Sequence, residues 1–160
     1  MATVTMMGDD RGASLVPQLL LGFVAGFVAV LLFHQPVLAL LNQIGLAKAE
    51  VYSLTTTAPL GVPQVISLAF WGGVWGVLFA AIEPRFPRGA AYWICALAFG
   101  AILPTLVAWF IVAPLKGLAV AGGGEVNRMI TGLLINGAWG LGAALLLRLA
   151  HRAGRDWRSA

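Results

Sequence analysis

Charge is what this 160-residue chain has least of: ten Lys and Arg and six Asp and Glu make up only a tenth of it. A soluble domain carries about a quarter, because its surface must face water. An ordinary water-soluble globular domain is therefore excluded. Cysteine is also scarce. Cys95 is the only one, so neither an intramolecular disulfide nor a cysteine-based metal cluster can form. Histidine occurs twice, at His34 and His151, and no nucleophile motif or paired-carboxylate spacing accompanies either. The Gly122-Gly123-Gly124 run lacks the Lys-Ser/Thr pair that would make it a phosphate cradle. Enzyme catalysis gains little support from such an inventory, and no cofactor is expected.

What the chain does have is apolar length. Sixty per cent of its residues are hydrophobic, and the charges cluster between long uncharged runs. None lies between Gly12 and Ala47, Val51 and Ile82, Gly89 and Leu115, or Met129 and Leu147. Each run reaches the roughly 17 to 25 residues that a spanning helix needs. The expectation is an all-α integral membrane four-helix bundle with spans near 15–33, 64–82, 90–112 and 129–149. A polar tail over 1–14 precedes it and a basic tail over 151–160 follows. The first run is longer than the about 7 to 15 residues of a secretory h-region, which argues against its removal as a signal peptide.

The net charge of +4 and pI near 10 could suggest nucleic acid. The positive residues flank hydrophobic segments, however, so they read as a topology signal and no nucleic-acid partner is expected. With both termini on one side, that side holds Arg11, Arg85, Arg88, Arg148, Arg152, Arg155 and Arg158. The other holds Lys48, Lys116 and Arg128. This asymmetry places both termini in the cytoplasm. His34 and His151 then fall at opposite faces and cannot share a metal or haem.

Small residues recur at four-residue spacing, which keeps them on one helix face and lets backbones approach closely. Gly22 and Gly26 lie in the first run, Gly72 and Gly76 in the second, Gly100 in the third, and Gly132 and Gly140 in the fourth. Internal helix packing accounts for these stripes, and a face for a homo-oligomer or larger membrane complex is the alternative. Trp71, Trp75 and Trp139 sit mid-span, away from the interfacial belt. Either they fill grooves beside these glycines or they line a pocket for an apolar ligand.

Gly72-Gly73-Val74-Trp75-Gly76 echoes Asn136-Gly137-Ala138-Trp139-Gly140 at three positions, and Ala58-Pro59-Leu60 precedes the one as Ala113-Pro114-Leu115 precedes the other. The echo fits two tandem parallel helical hairpins, and it also fits chance, since Gly and Trp are common in membrane helices.

Polar groups inside apolar runs are costly. His34, Ser67, Thr105 and Asn136 all fall in the outer halves of their spans and could converge on one outward-facing polar cluster. Bonding to backbone and between helices would account for them equally well. Arg148, Arg152, Arg155 and Arg158 could meet lipid headgroups.

The segments Gly61-Val62-Pro63-Gln64-Val65, Ala69-Phe70-Trp71-Gly72-Gly73-Val74-Trp75-Gly76, Ala113-Pro114-Leu115-Lys116-Gly117 and Asn136-Gly137-Ala138-Trp139-Gly140 resemble a family of small, uncharacterised four-span bacterial inner-membrane proteins. The resemblance implies a bacterial inner-membrane setting and no particular activity. The function expected is a non-enzymatic scaffold or accessory subunit. The alternative is a small oligomeric transporter or permeation subunit built around the polar cluster, and an enzyme using His34 as acid or base ranks below both.

Overall fold

The computed structural model describes residues 10–58 and 60–159, with side chains over 15–154 apart from Pro59. Four helices in it are long and apolar enough to cross a membrane. The first begins as α1 (Asp10–Ala29), passes through a wider π turn at Val30–His34, and continues as α2 (Gln35–Gln43). The second is α3 (Gln64–Ile82). The third comprises α4 (Ala90–Val107), a π turn at Ala108–Val112, and the short α5 (Ala113–Leu115). The fourth is α6 (Val126–Ser159).

Helix starts at Asp10 and runs through the segment expected to be a polar tail, and α6 continues past Leu149 to Ser159. Both extensions carry charged residues beyond the apolar stretch. Once a helix is nucleated, each added residue closes its own hydrogen bond whatever its side chain.

The two π turns have one cause. Each ends one residue before an X-Pro step, at Gln35-Pro36 and Ala113-Pro114. Proline has no N–H, and its ring clashes with the carbonyl four residues back. Inserting a residue into the turn moves that carbonyl aside. The Gln35 N–H accordingly reaches Val30 O, and the Ala113 N–H reaches Ala108 O. Pro104, by contrast, lies within α4, which runs on to Val107.

Between α2 and α3 the chain folds back in a small antiparallel ribbon, β1 (Thr56–Thr57) pairing β2 (Val62–Pro63). The link from α3 to α4 is a single 3-10 turn at Glu83–Arg85 and an extended Phe86. It closes at Gly89, whose φ of 73° and ψ of −143° lie in a region that only glycine occupies readily. Before α6, Ala121, Gly122 and Gly123 coil left-handedly, with φ of 50°, 67° and 74°. Ala113-Pro114-Leu115 thus ends a helix, whereas Ala58 lies in the loop after β1 and Pro59 falls outside the described residues. That half of the sequence echo has no common structural position.

The other half does. α1 packs along α3 and α4 along α6, with α1 also lying against α6. A Cβ added to Gly22 would stand 2.5 Å from the Ala80 Cβ, and one on Gly26 would stand 2.9 Å from the Gly76 Cα while colliding with the Gly72 carbonyl oxygen. In the second pair a Cβ on Gly100 would stand 2.5 Å from the Asn136 carbonyl oxygen and 2.7 Å from the Gly140 Cα. One on Gly140 would collide with the Ala96 carbonyl oxygen. The same antiparallel, backbone-to-backbone crossing is therefore built twice, with Gly26 and Gly76 in one and Gly100 and Gly140 in the other. Gly132 is different, since its nearest neighbours are the Trp109 Nε1 at 3.4 Å and the Thr105 methyl at 3.5 Å from an added Cβ. That is ordinary contact or close to it.

Larger side chains dock on further glycines. Phe23 lies on Gly73, Leu97 on Gly137 and Phe33 on Gly142. These positions stand one or two residues off the four-residue stripes, on a second face of each helix, where the stripe pattern did not point. The core between the helices gathers Ala29, Ala69, Phe79, Ala80, Ala96, Phe99, Trp139, Ala144 and Leu147, and a smaller one joins Leu38, Leu41 and Ala47.

Candidate functional site

Two separate sets of polar groups lie at one end of the molecule, while Gln18 on α1 donates its Nε2 to Ala80 O on α3 at 2.8 Å and the buried Thr131 Oγ1 on α6 has no hydrogen-bond partner among the described residues. On α4, Thr105 is 1% exposed. Its Oγ1 donates to Gly132 O at 3.3 Å and accepts from the Asn136 Nδ2 at 2.8 Å. These bonds stitch α4 to α6 beside the glycine crossing. The buried hydroxyl thus reaches across to the neighbouring helix, not to its own backbone.

The second set surrounds the first π turn. His34 and Gln35 are both buried, and the His34 Nδ1 lies 3.5 Å from the Gln35 Nε2. Gln35 Oε1 accepts the Tyr52 backbone N–H at 2.8 Å, and the Tyr52 hydroxyl donates to Leu31 O at 2.6 Å. The second bond follows from the proline. In a helix Leu31 O would accept from residue 35, but the Gln35 N–H is already bonded to Val30 O. Its wider-turn partner would be Pro36, which has no N–H. A carbonyl left open in an apolar setting costs free energy, and Tyr52 reaches in from the loop to close it. Tyr52 itself sits at a φ of 51°, so the loop adopts a left-handed step to deliver the ring.

No hydrogen bond among the described residues joins the His34 set to the Thr105 and Asn136 pair, and Ser67, half-buried on α3, belongs to neither. Gln35 and Tyr52 are the members that the sequence did not single out. The open carbonyl ahead of Pro36 was their only advance signal.

The tryptophans divide three ways. Trp139 is 2% exposed, and its indole N–H donates to Gly26 O on α1 at 2.8 Å, so it fills the groove beside Gly72 and Gly26. Trp75, at the equivalent position of α3, meets Phe99 edge-on at 6.2 Å. Trp71 is 59% exposed and points outward with Phe70. Its expected place in a glycine groove is not the one it takes, because it stands one residue before Gly72 and so on a different helix face.

The opposite end holds the charges. Tyr92, at the start of α4, is buried and donates its hydroxyl to Glu83 Oε1 at 2.9 Å. The Arg148 guanidinium lies 3.9 Å above the Tyr92 ring centre and 5.4 Å from that of Trp93, a stacking that suits a planar cation. Phe86 and Phe79 continue the aromatic contacts inward. A cavity of about 300 Å³ opens here, lined by Glu83, Arg148, His151 and Arg152. The side chains of Arg155 and Arg158 lie outside the described residues. No group of three or more His, Cys, Asp or Glu able to hold a metal ion occurs among the described residues.

The fold and these sites define a helical chain with four helices fit to cross a membrane and a charged cavity at one end. Comparison with protein-family models, curated proteins and solved structures finds no match.

Proposed function

We propose that this chain is a multi-pass bacterial inner-membrane protein acting as a non-enzymatic scaffold or accessory subunit. In this reading it is a four-helix bundle of two tandem parallel hairpins with both termini in the cytoplasm. The observation that carries it is the use made of the polar groups within the helices. Asn136, Thr105 and the Trp139 indole bond across helices to Thr105 Oγ1, Gly132 O and Gly26 O, which is the role of interhelical glue. The glycines of the two crossings, Gly22 and Gly26 with Gly72 and Gly76, and Gly100 with Gly140, likewise close on one another inside the chain. Outward faces such as that of Phe70, Trp71, Val74 and Leu78 are left for lipid, a second copy or a partner helix.

The test is native mass spectrometry of the full chain in lipid nanodiscs, together with co-purification from its own membranes. Assembly with a second copy or a stoichiometric partner is expected, and a monomer that recovers no partner overturns the reading. Orientation is checked with Cys95→Ser as background. Cysteines placed at Thr55 and Ser159 should label from opposite faces of the membrane.

One observation favours a second reading, a small oligomeric transporter. Both hairpins carry a helix interrupted by a π turn before proline, and interrupted helices recur where transporters bind substrate. His34→Ala and Asn136→Ala would then abolish flux in an uptake or efflux assay, and unchanged flux at equal expression would reject it.

A further inference from the structure

The cavity between the end of α3 and the Arg148–Arg152 stretch of α6 presents both signs of charge without joining them. Two guanidinium groups, Arg148 and Arg152, and one carboxylate, Glu83, line it together with His151. The only ion pair among the described residues is elsewhere, between Arg128 and Glu125. Opposite charges that share a cavity and stay apart leave room for a ligand that carries both.

The geometry holds them in that state. Arg148 is fixed by stacking on Tyr92 and Trp93. Glu83 has one carboxylate oxygen occupied by the Tyr92 hydroxyl, so its other oxygen is available to accept from a cation. Tyr92 thus braces both the positive and the negative side. Arg152 stands one turn beyond Arg148 on α6, on the same face. Arginine offers forked donors suited to phosphate oxygens, and an ammonium group suits a carboxylate.

Depth points to the source of such a ligand. The cavity lies at the end of the apolar stretches of α3, α4 and α6, beside Tyr92 and Trp93. Aromatic rings of that kind mark the level of the headgroups in a spanning protein. Leu145 and Leu149, on the same stretch of α6, are exposed and offer apolar surface to acyl chains.

We infer that this cavity binds the headgroup of an aminophospholipid, with the phosphate on Arg148 and Arg152 and the ammonium on Glu83. The inference rests on the membrane-spanning reading above and goes beyond it by naming a lipid class. A purely anionic headgroup would leave Glu83 facing a negative charge. A quaternary ammonium would offer it no N–H donor.

The experiment uses the full chain in nanodiscs containing equal parts phosphatidylethanolamine, phosphatidylglycerol and phosphatidylcholine, with retained lipid read by native mass spectrometry. Preferential retention of phosphatidylethanolamine is expected. Arg152→Gln, at an exposed position, should lower that retention about fivefold, the scale of one basic residue at a headgroup surface. Glu83→Gln should leave phosphate binding intact while removing the preference over phosphatidylglycerol. Arg148→Lys, which keeps the charge and loses the stacked fork, should fall between Arg152→Gln and the parent chain.

Equal retention of all three lipids, or a preference that survives Glu83→Gln, overturns the inference. So does displacement of the bound lipid by inorganic phosphate as readily as by soluble glycerophosphoethanolamine, which would mark a simple anion site. A parallel alkaline carbonate wash separates this failure from the failure of the membrane reading. A chain that stays in the pellet yet shows no preference refutes the headgroup site alone, and one that washes off refutes both.

Discussion

At Gly100 and Gly140 a single hydrogen stands where any other residue would carry a carbon. A Cβ at Gly100 would meet the Asn136 carbonyl oxygen at 2.5 Å, and backbone cannot move aside as a side chain can. Gly140→Leu should therefore push α4 off α6 and cost at least the ~1–3 kcal/mol typical of an overpacked site. Gly132→Ala, where the added methyl would lie 3.4 Å or more from its neighbours, should be close to neutral. Unfolding in bicelles by stepwise addition of denaturing detergent would check the pair, and equal losses at the two positions would contradict the geometry. Asn136→Ala removes one interhelical bond but leaves Thr105 bonded to Gly132 O. The expected loss in the same assay is about 0.6 to 1.7 kcal/mol.

Among the elements, the four helices were legible from the gaps between charged residues, because hydrocarbon accepts backbone only when its amides are paired within the segment. Which face each helix turns inward was legible only from glycine. Where every side is apolar, periodicity carries no facing information, and so Trp71 and Trp139 looked alike although one is 59% exposed and the other 2%. The π turns had a readable cause in Pro36 and Pro114, but the consequence at Pro36 lay at a distance in sequence, in Tyr52, which closes the Leu31 carbonyl that this proline strands. Tyr52→Phe tests this. The ribbon of β1 and β2 should loosen, and the amides of Gln64 and Val65, which bond Thr55 O and Ser53 O, should exchange faster with deuterium while those in the middle of α3 keep their rates. Unchanged exchange at both amides would assign the anchoring to Gln35 instead.

On the scale of the whole molecule, the charged cavity was the least legible part. Glu83, Tyr92 and Arg148 come from the α3–α4 link, α4 and α6, and the sequence grouped Arg148 with Arg152, Arg155 and Arg158 as a basic run. Only the packing of α4 against α6 brings Tyr92 beneath Arg148. The sequence echo between the halves was legible and has a physical counterpart in the two glycine crossings.

Two described side chains of the second hairpin hydrogen-bond to residues that precede it, Trp139 to Gly26 O and Tyr92 to Glu83 Oε1. If each crossing holds its own hairpin, a gene severed between Pro87 and Arg88 would yield two polypeptides that insert separately and then find one another. Affinity capture of one through a tag on the other should succeed for the parent sequence, weaken for Trp139→Ala and fail when Tyr92→Phe is added, making an indole and a phenol the twin latches of a complementing pair.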